Sequence, residues 1–464
     1  MIGGGRRIRP EHLAIDMVVA SSSRTFLRGG GVLLAAVLGG CSSAFPLMPT
    51  PNVYTGKAAR PLFATAPAIR ETPAIDLLYV TDRAPTTDPG DPLPYGAERS
   101  RQISFGSATV EFEESVTWDV LVKQSTATNR TVPLNLKLGK TKEIGRFPHA
   151  PYAIVPAPGG VTRDPAVMDA HEKAAAQLQA EIARRTAAAA RKEVLLFVHG
   201  YANTFQDAAL TMGELCHYLG REFVCAIFTW PAGGSRGLFF GYNVDRESGE
   251  FAVWDLKKAI RIIADTPGVE RLHLIAHSRG TDVLTTALAQ LSTESYVGRS
   301  GIDRRYKVRN VVLMAPDMDA DVATAKVFNV VSDPDLPYGA APNPRGVFAR
   351  LGIQLTVYVS PDDKALSLAQ YLFGSLRRLG RIDSSMFSPE EVEALRRIGI
   401  IDVVQVSGTT DYFGHSYFTS NPAVSADLIA MIRYGLKPNE PGRPLIEVAK
   451  PLWRVMPVEQ GSSN

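Results

Sequence analysis

Cysteine is scarce in this chain: 464 residues carry only Cys41, Cys216 and Cys225. None has the paired spacing of a zinc or haem site, so neither a metal nor a cofactor is expected. Charge of one sign is scarce too. Lys and Arg number 50 against 47 Asp and Glu, and a net +3 is too weak a field to draw in nucleic acid. The apolar run at residues 31–38 falls well short of the roughly 20 residues a membrane-spanning helix needs. Function must therefore be carried by particular residues.

That short run has a meaning of its own. Arg24 and Arg28 precede it, and Leu38-Gly39-Gly40-Cys41-Ser42-Ser43 follows, which gives a positive n-region, a short h-region and a small-residue processing site. Leu38-Gly39-Gly40-Cys41 resembles a bacterial lipobox, in which the cysteine becomes the lipid-modified first residue. The expectation is a signal peptide over residues 1–41, lipidation at Cys41, and a membrane partner reached through that anchor. Ser42-Ser43 lacks an acidic residue, which directs the expectation to an outer-membrane lipoprotein facing the periplasm. Cys216 and Cys225 would then lie in an oxidising compartment, although pairing is not readable from spacing. Residues 42–74, rich in Pro, Ala and Thr, read as a tether. A folded domain is expected over 75–440, with insertions near 113–190 and 330–349, and a tail over 441–464.

Within the domain, apolar runs at 75–81, 107–112, 193–198, 223–230, 272–277, 308–315, 354–359 and 401–406 read as strands. Residues 82–101, broken by Pro85, Pro89, Pro92 and Pro94, read as a loop. Helical patterns at 165–192, 205–219, 250–264, 388 onward and 424–434 fall between or after the strands, and the polar, aromatic stretch 232–249 reads as a loop or lid. Strand and helix in alternation mean an α/β fold: a doubly wound, mainly parallel sheet with helices on both faces.

The chemistry concentrates at Ala276-His277-Ser278-Arg279-Gly280, directly after a buried strand. A nucleophile elbow holds its serine on a strained strand-to-helix turn, so the residues two before and two after must be small. Ala276 and Gly280 satisfy that. The turn lifts the Ser278 hydroxyl clear of the sheet and sets the Arg279 N–H at a helix N-terminus, where it can meet a developing oxyanion. Upstream, strand 193–198 ends in His199-Gly200-Tyr201, the place of the loop that donates a second oxyanion N–H.

A serine hydroxyl needs a base within reach and an acid that orients the base. In this architecture they follow in the order Ser, acid, His, each after a strand. Of eight histidines, only His415 lies downstream of Ser278 and of every candidate acid. Asp362 and Asp363 follow the strand at 354–359; Asp317 and Asp319 follow the strand at 308–315 and suit a helix cap as well.

Read together, Tyr79-Val80-Thr81-Asp82-Arg83, His199-Gly200-Tyr201-Ala202-Asn203, Phe228-Thr229-Trp230-Pro231, Asp245-Arg246-Glu247-Ser248, the elbow, Ala315-Pro316-Asp317-Met318-Asp319 and Gly414-His415-Ser416-Tyr417 resemble a bacterial α/β-hydrolase family of unknown function. The resemblance spans about residues 75–435 and implies the α/β-hydrolase fold. It also implies a serine hydrolase, with Asp363 as the acid and the N–H groups of Tyr201 and Arg279 as oxyanion donors. Asp82 departs from the family's usual Asn, and Arg279 stands where many hydrolases carry Met. The activity expected is cleavage of a small-molecule or lipid carboxylic ester. A peptidase or acyltransferase on the same triad, and a non-catalytic envelope-binding lipoprotein, are the alternatives.

Overall fold

The computed structural model describes residues 45–63, 71–88, 90–234, 238–297, 300–329, 353–373, 377–408, 411 and 413–456. The signal peptide with Cys41, and the excursion at 330–349, lie outside them. In chain order the strands are β1 (Phe45–Pro46), β2 (Ala74–Pro85), β3 (Tyr95–Phe112), β4 (Asn135–Arg146), β5 (Ile154–Ala157), β6 (Gly160–Arg163), β7 (Glu193–Val198), β8 (Val224–Thr229), β9 (Arg271–His277), β10 (Val308–Met314), β11 (Gln354–Val359), β12 (Ile401–Gln405), β13 (Leu445–Ala449) and β14 (Leu452–Val455). The helices are α1 (Trp118–Ser125), α2 (Pro165–Ala188), α3 (Phe205–Tyr218), α4 (Leu238–Asp265), α5 (Gly280–Val297), α6 (Ile302–Arg305), α7 (Ala320–Thr324), α8 (Lys364–Phe373), α9 (Pro389–Ile398), α10 (Tyr417–Ser420) and α11 (Pro422–Ile432).

One twelve-stranded sheet runs in the order β1-β4-β3-β2-β8-β7-β9-β10-β11-β12-β14-β13. From β2 through β14 every neighbouring pair is parallel, and antiparallel strands are added at both edges. The parallel strands are buried on both faces, which is why they read as continuous apolar runs. Along β7, Leu195 and Phe197 pack on one side with α3 and α11, while Val194, Leu196 and Val198 pack on the other with α2, α4 and α5. All loops that follow parallel strands therefore gather at one sheet edge, where ligands meet such sheets.

Four expectations need correction. The tether is folded from Phe45 to Phe63: β1 pairs with β4, and Leu47, Met48, Tyr54 and Leu62 are buried in the core. Its apolar residues show no period because partners distant in sequence hold it. Arg130 donates to the carbonyls of Leu47 and Met48, and the buried Glu214 accepts the Met48 N–H at 2.9 Å. Burial pushes the Glu214 carboxyl up to about 8. The tail is likewise folded as far as Met456, since β14 adds parallel to β12 and buried Trp453 donates to Asp402 at 2.8 Å. The loop at 82–101 is in fact the end of β2 and the start of β3, paired as far as Pro85 and Tyr95, with Pro85 closing β2 and Pro92 and Pro94 in the connection. Finally, the stretch from Leu238 is the first part of α4, with Tyr242, Asp245 and Ser248 turned inward.

Candidate active site

β9 ends at His277, and α5 begins at Gly280. Between them Ser278 has φ 52°, a left-handed conformation that a non-glycine residue adopts only under constraint. The constraint is visible. The Ser278 N–H donates to the Met314 carbonyl at 2.9 Å, and the Ser278 carbonyl accepts from the N–H groups of Asp317 at 3.2 Å and Thr281 at 3.1 Å. Gly280 is required by contact: a Cβ there would lie 2.2 Å from the His199 carbonyl oxygen and 2.7 Å from that of Val198. A Cβ on Gly200 would lie 2.6 Å from the Ser278 Cβ, so the loop after β7 crosses directly against the serine. The small residue two before it, Ala276, is fully buried in the sheet.

His415 and Asp363 come together at this edge. His415 Nδ1 lies 2.7 Å from Asp363 Oδ2, with the aspartate fully buried and the imidazole partly open. The other Asp363 oxygen accepts the Leu366 N–H at 2.9 Å, fixing the carboxylate at the head of α8. His415 is brought to the elbow by the residue preceding the serine: His277 Nε2 lies 3.3 Å from the His415 carbonyl, and the two ring centroids are 4.8 Å apart. Burial, with the neighbouring His415, holds His277 well below the usual imidazole range, so it is neutral.

The alternative acids do other work. Asp362 accepts the Gly408 N–H at 2.9 Å. Asp317 lies 3.1 Å from an Arg378 nitrogen and accepts the Tyr242 hydroxyl at 2.9 Å, while its carbonyl accepts from Arg279 at 3.2 Å. Burial pushes Tyr242 up to about 12, so it stays a donor. Asp319, as a cap would, accepts from the N–H groups of Asp321 and Val322. The Arg279 side chain turns away from the serine to Asp282 at 2.7 Å, leaving its backbone at the start of α5.

Several residues at this edge carry roles that sequence reasoning missed. Asp411 accepts from the N–H groups of Phe413, Gly414, His415 and Ser416 and thereby shapes the histidine loop. The Tyr417 hydroxyl donates to the Tyr358 carbonyl and accepts the Ala315 N–H, tying the ends of β10 and β11 to α10. His199 is fully buried, stacked on Trp230, and held neutral by burial and by Arg83. Its Nε2 accepts the Trp230 N–H at 3.0 Å. An acidic residue a few positions before the histidine was the one available signal, for Asp411.

Residues 174–432 match the model of a family described as alpha/beta hydrolase of unknown function (DUF900). The chain belongs to that family. As an α/β hydrolase, it is similar to a predicted CIB-like hydrolase from Thermoplasma acidophilum, at 13% identity over 52% of this chain and 86% of that one, with a TM-score of 0.26. It is also similar to Est1E from Butyrivibrio proteoclasticus, solved with ferulic acid, at 10% identity, 52% and 88% coverage and a TM-score of 0.26. Carboxylesterase CesB from Bacillus subtilis is similar at 10% identity, 53% and 85% coverage and a TM-score of 0.25. Similarity at this level says nothing about a substrate. No curated protein matches the chain.

Proposed function

We propose that this hydrolase cleaves carboxylic esters through a Ser278-His415-Asp363 triad and an acyl-enzyme intermediate. The observation that carries the reading is the 2.7 Å contact of His415 Nδ1 with buried Asp363, beside a serine held at φ 52° on a strand-to-helix turn. Asp363 fixes the imidazole with Nδ1 as donor, so Nε2 is the atom that takes the Ser278 proton. The serine oxygen then adds to the ester carbonyl, and the N–H groups of Tyr201 and Arg279 stabilise the oxyanion. His415 returns the proton to the departing alcohol, and water releases the acid by the same route. No metal takes part in this scheme.

The proposal extends to location: an exported lipoprotein anchored through Cys41. The Cys216–Cys225 disulfide, with Cα atoms 6.1 Å apart, supports an oxidising compartment.

The test of the activity is labelling of the purified protein, wild type and Ser278→Ala, with a fluorophosphonate, followed by turnover of p-nitrophenyl esters of graded chain length. Labelling that disappears in Ser278→Ala is the expected result. A folded wild type that neither labels nor turns over any ester would overturn the reading.

A further inference from the structure

The oxyanion loop after β7 is not held by β7 alone. Its residue Ala202 has φ 57°, a left-handed conformation without glycine's freedom, one residue after the proposed donor Tyr201. The Ala202 N–H donates to Asp245 Oδ2 at 2.9 Å, and the same oxygen faces the Gly233 N–H at 3.3 Å, from the loop after β8. Asp245 comes from α4, is almost completely buried, and so ties two active-edge loops to one carboxylate. From the opposite side the buried Arg83 of β2 donates to the Asn203 carbonyl at 2.6 Å. The Asn203 side chain in turn accepts the Gly200 N–H at 3.1 Å.

These contacts bear on catalysis through the peptide plane. The held Ala202 and Gly200 N–H groups lie in the peptide planes on either side of the Gly200–Tyr201 peptide, so anchoring both narrows the directions open to the Tyr201 N–H between them. A donor aimed at an oxyanion acts only where that charge develops, so its aim matters in the transition state and not in substrate binding. We propose that Asp245 is a positioning residue that sets the direction of the Tyr201 N–H, acting through Ala202 and braced by Arg83. The inference rests on the serine-hydrolase reading above.

The test compares wild type, Asp245→Asn and Asp245→Ala, using p-nitrophenyl acetate for kcat and KM, thermal melting for the fold, and fluorophosphonate labelling for the nucleophile. Asparagine keeps one acceptor oxygen, whereas alanine keeps none. In Asp245→Ala, kcat should fall about 100-fold with KM nearly unchanged, the scale of losing one oxyanion donor. Asp245→Asn should fall about tenfold, a partial rescue that loss of packing alone would not produce. A folded Asp245→Ala with wild-type kcat, a loss that appears only in KM, or an asparagine variant as slow as alanine would each overturn the proposal. Should Asp245→Ala fail to fold, Asp245→Asn decides alone, and a kcat equal to wild type overturns it. A wild type that does not label overturns the serine-hydrolase reading and this proposal together. A labelled wild type with an unaffected Asp245→Ala overturns only the role of Asp245.

Discussion

The surroundings of Asp82 predict a measurable cost. The residue is 0% exposed, and among the described residues neither carboxylate oxygen has a hydrogen-bond partner. Burial first, and then the Asp255 carboxylate on the facing α4, raise its pKa well above the carboxylate range; its own backbone N–H, Arg83 and Arg99 act in the opposite sense. Asp255 is itself pushed up to about 6 by burial, opposed by Lys258. Lys258, lowered to about 8 by burial, donates to the Tyr152 hydroxyl. The fold thus keeps a proton on Asp82 at pH values where the unfolded chain, titrating near 4, has lost it. The stability carried by the neutral acid is fully present below about pH 4 and is lost as pH rises toward the raised folded value, by about 1.4 kcal/mol per unit. Asp82→Asn keeps the shape and removes that proton. Its unpaired amide adds a penalty of about 1–3 kcal/mol that does not change with pH. The stability of the variant relative to wild type should therefore improve by about 1.4 kcal/mol per unit from pH 5 upward, then level off where Asp82 ionises in the fold. Urea unfolding at half-unit steps, with the disulfide intact, measures it. A stability difference that stays flat from pH 5 upward would refute the reasoning.

Asp363→Asn should lower kcat by about 10³–10⁴, because the imidazole loses its orientation, while Asp362→Asn should leave it within about threefold; ester turnover by both variants reads this, and equal losses would contradict the assignment. Gly280→Ala forces a methyl against two backbone carbonyls that cannot yield, so it should cost about 1–3 kcal/mol in urea unfolding and slow turnover as well. A Gly280→Ala protein with unchanged stability would contradict the packing of the elbow. Cys41→Ser should abolish incorporation of labelled palmitate in cells and release the protein from the membrane fraction; palmitate retained in that variant would sink the anchor.

Much of the edge that carries the site was legible because its signals are local. A parallel strand is buried on both faces and shows as an apolar run, and an elbow demands small residues two positions either side of its serine, as Ala276 and Gly280 supply. Chain order then singled out His415. It did not separate Asp362 from Asp363 by itself; that choice came with the family resemblance, and in the fold the two neighbours face different ways, one to an imidazole and the other to the Gly408 N–H.

Other features were set by partners far along the chain, and no local pattern marks those. Phe45 to Leu62 looked like a tether because the stretch is rich in Pro, Ala and Thr. Its apolar residues are buried because β4, Arg130 and Glu214 receive them. β14 and the edge strand β13 are short, and their place depends on β12. Asp245 showed as part of a motif in the family resemblance, in a stretch read as a loop and with no role attached, until α4 carried it to the Ala202 N–H. The sequence by itself determined the buried parallel strands, the elbow and the chain order of the candidate serine, aspartates and histidine, since backbone sterics and burial act over a few residues. Only the tertiary structure decided which aspartate meets the imidazole, where residues 45–62 and 445–455 dock and what holds the loop after β7, because each depends on groups distant in sequence.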